Sequence, residues 1–347
     1  LRSVMFYEKL GTIYDKTQRI RQLAGLLSDD LNINKEKIQI AASISKADLC
    51  SDLVGEYPEL QGVMGKYFAI SQGFEEEVSR AISDHYLPTN ISSPVSKKPV
   101  SYALSIIDKL DTLVGFFLIN QKPTSSKDPF ALRRAAIGLL RTIIENNLVV
   151  KLSDLIEYSL KIYFDQGVKE INSQVQKELI LFFRERMKNI LKEKKIRTDI
   201  IEASVSSHLN DNFLELYQKT LIMNKFISKD LGKNAVSTYK RASNILEHEK
   251  SISRNGPDAV LFKYEEEKEL FERINTIRKE FTLKDEKKNY ENHLKLLSDT
   301  KLSTDKFFEN VKVNDENKDI KNNRLELLQI LCTTFNSFVD FSKLEGT

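Results

Sequence analysis

The sequence predicts an all-α protein built as two helical domains. Three observations lead there. Only 12 glycines and 7 prolines are spread over 347 residues, and strand-rich folds need more turn residues than that. Apolar residues recur at helical steps along most of the chain. No alternating apolar–polar stretch of useful length competes, and Val311–Val313 is at most a short extended piece. The length suffices for two or three domains, each with its own core.

Taken in order, the first unusual stretch is "DLVGEYPELQGVMGKYFA", Asp52–Ala69. Pro58 suits the first turn of a helix, and Gly55, Gly62 and Gly65 relieve backbone strain in turns. A sharp corner between helices is expected, with Met64, Tyr67 and Phe68 packed inward. Ile106, Ile107, Leu110, Leu113, Val114 and Phe117 then mark one helical face. A Ser/Pro-rich break covers Leu87–Pro99 and another covers Gln121–Pro129. Asp128 is a good N-cap and Pro129 a fitting first helical residue. Leu132, Ala135, Ala136, Leu139, Leu140, Ile143 and Ile144 form the face that follows.

A domain boundary is expected between residues 145 and 175, giving domains 1–150 and 176–347 joined by segment 151–175. Asp165–Asn172 is a soft break and Arg254–Asp258 another. Further faces are Leu179, Phe183, Met187 and Ile190; Tyr239, Ala242, Ile245 and Leu246; Leu270, Ile274, Ile277 and Phe281; and Leu328, Leu331, Phe335 and Phe338. Lys284–Glu291 and Asn314–Asn323 are charged and apolar-poor, and read as solvated loops or exposed helix ends.

Net charge is +3, so any polyanion site must come from local patches. Cys50 and Cys332 lack metal-ligand spacing and read as buried, reduced thiols. The best apolar run, Leu113–Ile119, is short and follows Asp108, Lys109 and Asp111, which argues against a membrane span. No signal peptide is visible, so the cytoplasm is the default. The start at Leu1 rather than Met suggests a fragment.

Candidate chemistry is sparse. Glu56 and Glu59, with Gln61 and Lys66 nearby, can be imagined as an acid–base pair, but nothing in the sequence buries either carboxyl. The glycine spacing matches no phosphate cradle. His85, His208, His248 and His293 lack metal-ligand spacing, and no G-x-S-x-G elbow occurs. The basic clusters say more. Lys177–Arg197 holds eight basic residues, among them Arg184, Arg186 and Lys188, against three acidic ones. In Tyr239–Leu246, Lys240 and Asn244 share a polar face at a spacing of four, with Arg241 beside them. Such faces suit phosphates and unstacked bases. A solvated helix surface is the plainer reading of any one charge run.

Several segments together resemble one family. They are "LGTIYDKTQRI" at Leu10, "KADLCSDLVGEYPELQGVMGKYFA" at Lys46, "AISDHYLP" at Ala81, "DKLDTLVGFFLINQKPTSSKDPFALRRAAIGLLR" at Asp108, "YKRASNIL" at Tyr239, "FFENVKVND" at Phe307 and "NRLELL" at Asn323. In order and over essentially the whole chain, they are similar to the C-terminal half of the β subunit of the bacterial tetrameric glycyl-tRNA synthetase.

The resemblance implies a degenerate HD-like helical domain at 1–150 and an α-helical anticodon-binding domain at 176–347. It implies tRNA-Gly and the α subunit as partners in an α2β2 ligase. ATP and magnesium would be used through the α subunit, with no catalytic residue, metal or cofactor in this chain. Arg184, Arg186, Lys188, Lys240, Arg241 and Asn244 are the expected anticodon-arm contacts. Glu56, Glu59, Gln61 and Lys66 fall in a signature loop expected to touch tRNA or a subunit. An HD metal centre needs His, His-Asp and Asp. Here "SKADL" stands near the expected pair and Asp108 alone could be a remnant. Two rivals follow: a metal-dependent HD-type phosphohydrolase, which that ligand set disfavours, and a helical protein-interaction scaffold, which has no need of a grouped basic face.

Overall fold

The computed structural model describes residues 1–90, 92–169, 172–207, 211–249, 256–282 and 289–345. His208 lies outside the described residues, as do parts of the expected breaks at 165–172 and 254–258 and of the charged stretch 284–291. The chain divides into two compact units. One comprises Leu1–Ile190 with Asn210–Leu214, the other Leu191–Leu209 with Glu215–Thr347.

The first unit opens on a small antiparallel hairpin, β1 (Met5–Tyr7) and β2 (Gly11–Thr12). Helix α1 (Ile13–Leu31) starts on a reciprocal cap: Asp15 N donates to Thr12 Oγ1, and Thr12 N donates to the Asp15 carboxylate. The pair satisfies two backbone donors that a helix start leaves free. Helix α2 (Lys35–Ile44) packs on α1. A 3-10 turn at Ala47–Cys50 then leads to α3 (Asp52–Glu56), α4 (Val63–Ser71) and α5 (Glu76–Asp84).

Helix α6 (Pro99–Leu118) is the axis of this unit and is buried almost throughout, including Asp108, Lys109 and Asp111. It packs on α1, α5, α7 (Leu132–Glu145) and α8 (Leu152–Asp165). The apolar face expected for α7 is largely buried at Leu132, Ala136, Leu139, Leu140 and Ile143. Its start differs from expectation. The helix begins at Leu132 after Ala131 in a left-handed conformation (φ 52°), not at Pro129. Asp128 still serves as the cap, from four residues upstream, accepting from Leu132 N at 2.8 Å and Arg133 N at 3.0 Å. The extra residues let Phe130 stack on Phe116, with ring centroids 4.0 Å apart. Helix α9 (Val175–Glu193) buries Leu179, Phe183 and Met187.

The second unit contains α10 (Thr198–Ser206), most of α11 (Phe213–Ile227), α12 (Asp230–Glu247), α13 (Glu265–Thr282), α14 (Tyr290–Ser298), α15 (Lys301–Asn310) and α16 (Lys318–Asn336). Helix α12 packs on α14, α15 and α16, and Tyr239 sits against Phe335 and Phe341. The stretch 314–323 is less solvated than its composition suggests. Asn317 caps α16, and Ile320 and Asn323 are buried. Asn323 exchanges two hydrogen bonds with the Asp258 backbone, which gives its amide a reason to be inside. Arg324 is buried with Glu267 at 2.7 Å and Asp315 at 2.9 Å. Val311 has extended dihedrals but joins no strand among the described residues. Cys332 is buried as expected, whereas Cys50 is exposed.

Candidate functional site

The basic residues singled out by sequence fall on both units. On α9, in the first unit, Arg184, Arg186 and Lys188 are half-buried rather than free in solvent. Arg186 lies over the Phe182 ring at 4.8 Å. Burial, and then the neighbouring Arg133 charge, lower its pKa. Lys188 pairs with Glu185 at 3.0 Å.

On α12, in the second unit, the spacing expectation is met. Tyr239 and Ala242 face inward, while Arg241 and Asn244 are exposed and Lys240 is half-buried. Arg241 is held in one orientation. Its guanidinium lies 4.4 Å over Phe308 and 3.3 Å from Asp305, which also receives Lys301. A guanidinium fixed this way loses less freedom when it binds a second acceptor.

Sequence reading missed a second basic feature in this unit. A cleft of about 360 Å³ between α11 and α14 is lined by Lys225, Lys229 and Lys295, with Asn289 and Asn292 beside them and Glu291 as its acid. The three lysines are exposed and make no ion pair among the described residues. Lys225 and Lys229 stand at a spacing of four, a signal that was readable. Lys295 is far away in sequence and joins them only through the fold.

The first unit holds a different constellation. Lys46 Nζ is 2.7 Å from His85 Nε2 and 3.2 Å from Asp108. Lys16 is 3.2 Å from both Asp108 and Asp111, and Arg19 is 2.7 Å from Asp111. Lys109 donates to His85 O, Leu87 O and Ser105. Because the Lys46 ammonium donates, His85 Nε2 accepts, and Nδ1–H is left for Ala81 O at 3.2 Å. Burial and Lys46 hold the imidazole neutral, with a pKa well below the usual value. Burial alone would raise the Asp108 carboxyl, but Lys16 and Lys46 pull it far below the carboxylate range. Burial lowers the Lys109 ammonium to about 7.

A metal ion set between His85 and Asp108 would meet the Lys46 ammonium at ligand distance, with Lys16 on the same carboxylate. This donor set does not fit a divalent cation. Among the described residues no group of three or more His, Cys, Asp or Glu could hold one. The histidine that sequence spacing left isolated is thus a satisfied core residue.

The signature loop is fastened to this centre. Asp48 accepts from Gly62 N at 2.6 Å, and Gln61 donates to Tyr86 Oη at 2.7 Å. Tyr86 in turn lies under Lys46 at 4.1 Å. Gly62 has φ 81°, and a Cβ there would come within 2.6 Å of the Tyr86 ring. Gln61 is therefore a fastening residue. Glu56 and Glu59 are exposed and Lys66 is half-buried; no burial or close charge prepares the two glutamates for acid–base work. Tyr67 and Phe68, expected inside, are exposed. The inward face of α4 is made by Gly65 and Ala69 instead.

No described helix is long and apolar enough to cross a membrane. A family profile described as glycyl-tRNA synthetase beta subunit matches residues 1–206, and a profile described as DALR anticodon binding domain matches residues 235–341. Among curated relatives, the glycine--tRNA ligase beta subunit of Rickettsia akari (strain Hartford) is 38% identical over 344 residues, which is 99% of this chain and 49% of the relative. That of Rickettsia prowazekii (strain Madrid E) is 37% identical over 344 residues, with the same coverage. That of Rhodospirillum centenum (strain ATCC 51521 / SW) is 36% identical over 358 residues, 100% of this chain and 49% of the relative. The chain spans about half the length of the curated relatives it matches. Since the first profile alone takes in 206 of the 347 residues, the chain belongs to the glycyl-tRNA synthetase beta subunit family.

Proposed function

We propose that this chain is the tRNA-binding part of a glycine–tRNA ligase β subunit. The ligase joins glycine to tRNA-Gly with ATP and magnesium. The chemistry would lie in an α subunit of a cytoplasmic α2β2 enzyme, and this chain would contribute no catalytic residue. Residues 1–150 act as a degenerate HD-like helical domain and residues 176–347 as the anticodon-binding domain. Positioning RNA in this way turns an encounter into an oriented, effectively unimolecular step.

The observation that carries the reading is the match of 235–341 to an anticodon-binding domain on the unit whose surface shows Lys240, Arg241 and Asn244. The cleft lysines Lys225, Lys229 and Lys295 offer further positive charge on the same unit. Lysines facing phosphates supply affinity without sequence preference. Arg241, already oriented, and Asn244 suit the edges of unstacked anticodon bases. Arg184, Arg186 and Lys188 are included as contacts from the first unit.

The test is binding of tRNA-Gly, and of the same tRNA with a swapped anticodon, to the whole chain across a salt series. Lys229→Ala and Lys240→Ala should each weaken both RNAs and flatten the salt slope by about one unit per lost phosphate contact. Arg241→Ala and Asn244→Ala should hurt the cognate RNA more. Absence of binding, or indifference to all four changes, would overturn the reading in favour of a protein scaffold. The phosphohydrolase alternative has the Lys46–His85–Asp108 geometry against it.

A further inference from the structure

The cleft at the end of α11 and along α14 has fixed walls. Near the turn from α11 into α12 stands Gly232, where a Cβ would come within 2.3 Å of the Phe226 carbonyl oxygen. Glycine is what lets the backbones approach so closely. Ser298 of α14 donates to Leu231 O at 2.9 Å. Asn289 caps α14 by accepting from Asn292 N at 3.0 Å. Walls that stand ready before a ligand arrives lower the ordering cost of binding.

The charges inside the cleft do not balance. Lys225, Lys229 and Lys295 line it, and Glu291 is the single acid among the lining residues. Neighbouring charges on the same elements are engaged elsewhere. On α11, Lys219 pairs with Glu215 at 3.0 Å. On the first turn of α12, Lys233 stands 4.0 Å from Asp230. Asp299, at the end of α14, pairs with Arg273 at 3.4 Å. His293 lies against Phe281, with ring centroids 4.3 Å apart. The three cleft lysines therefore face the open space with one carboxylate between them, and a phosphate is the group that fits. Lysine binds phosphate as a point charge, whereas planar recognition of a carboxylate belongs to arginine.

The floor of the cleft is apolar. Phe226 and Leu294 are buried there, and Leu231 is 42% exposed beside them. The volume of about 360 Å³ lies at the small end of ligand sites, which run from about 300 to 1,000 Å³. A bare phosphate leaves this floor uncovered, and a flat ring attached to the phosphate covers it. Asn292 lines the same space and offers its amide to a ring edge.

We infer that this cleft binds one nucleotide, its phosphate held by Lys225, Lys229 and Lys295 and its base laid on the Phe226, Leu231 and Leu294 floor. The nucleotide comes either free or as a single unstacked member of an RNA strand. The second source rests on the function proposed above; the first does not.

The test titrates the whole chain with adenosine monophosphate, with inorganic phosphate and with a short single-stranded RNA lacking a terminal phosphate, read by calorimetry and phosphorus NMR. The nucleotide, free or in the strand, should bind at least tenfold more tightly than inorganic phosphate. Lys225→Gln/Lys295→Gln should weaken it at least tenfold with an unchanged unfolding midpoint. Leu231→Ser should weaken it without changing the response to inorganic phosphate. Lys306→Gln, on α15 and paired with Glu269, should change nothing. Loss of adenosine monophosphate binding in the lysine variant assigns the free nucleotide, and loss of RNA binding alone assigns the strand. If neither ligand binds, or if wild type and the lysine variant bind both alike, the inference is overturned. Inorganic phosphate binding as tightly as either ligand also overturns it, because the floor then contributes nothing. A chain that binds tRNA-Gly and ignores both cleft variants with every ligand loses this site and keeps the function proposed above. One that binds adenosine monophosphate in the cleft but no tRNA-Gly keeps the site and loses that function.

Discussion

Helices α4 and α12 each carry a tyrosine, but place it on opposite sides. In α12, Tyr239 is buried against Phe335 and Phe341 and the charged side chains are outside. In α4, Tyr67 is outside and Gly65 and Ala69 are inside. The difference lies in what each helix packs against. Helix α4 meets α5 through Gly65 against Ile82, a contact with no room for a large side chain. Helix α12 meets α16 across a layer thick enough for an aromatic ring. Exposed apolar residues on α4 thus contribute little to folding and are available for a partner, whereas polar residues on α12 are the ones available.

The sharpest way to break this contrast is to truncate the two tyrosines. Tyr239→Ala removes a buried ring and leaves the Asn336 amide, 3.2 Å from its hydroxyl, without that acceptor. A loss of about 3–5 kcal/mol is expected. Tyr67→Ala should change stability by no more than about 0.5 kcal/mol. Urea unfolding of both variants measures the difference. A comparable loss in the two would mean that the α4 face is part of the core.

A smaller effect sharpens the reason for the inversion. Gly65→Ala places a methyl against Ile82 and the Asp48 carboxylate, the group that holds Gly62 N. Overpacking of this kind costs about 1–3 kcal/mol. Gly55→Ala, in the same loop, meets nothing within 4 Å and should be near neutral. Equal unfolding midpoints for the two would remove the steric explanation.

Much of this fold was legible in the sequence. The faces of α6, α7, α9, α12, α13 and α16 follow from apolar spacing, because each has large apolar residues on one side and polar ones on the other. Helix α4 defeats that reading. "VMGKYFAIS" is apolar nearly all round, so periodicity offers two faces, and only the neighbour's shape selects the one with Gly65 and Ala69. Asp108, Lys109 and Asp111 were legible as an argument against a membrane span. Their partners were not, since Lys16 and Arg19 come from α1 and Lys46 and His85 from the turns after α2 and α5. Of the basic surface, the α12 face was readable from a spacing of four. The cleft that unites Lys225, Lys229 and Lys295 depends on the fold bringing Lys295 of α14 to the end of α11.

The smallest expected effect is a pH dependence that belongs to the unit carrying α4. His85 is fully buried, and burial together with Lys46 holds its pKa well below the ordinary 6.5. Lys109 lowers it further, and Asp108 and the Ala81 carbonyl oppose these only in part. An unfolded chain takes up a proton on this histidine as pH falls below about 6.5. The folded chain does not. The unfolded state then binds more protons, so the stability contribution is complete above pH 6.5 and is lost as pH falls below it. The slope approaches about 1.4 kcal/mol per pH unit for one proton. Lys109, lowered to about 7 from 10.5, has the same sign in another window. Between those values the unfolded chain keeps a proton that the folded chain releases, so stability rises with pH there. The check is the urea midpoint at pH 7.0, 6.0 and 5.5, for wild type and for His85→Gln. The variant begins less stable, because the Lys46 ammonium loses its imidazole acceptor, but its midpoint should fall less steeply over that interval. Parallel profiles would mean that His85 is protonated in the folded protein, and that Lys46 and Asp108 are arranged otherwise.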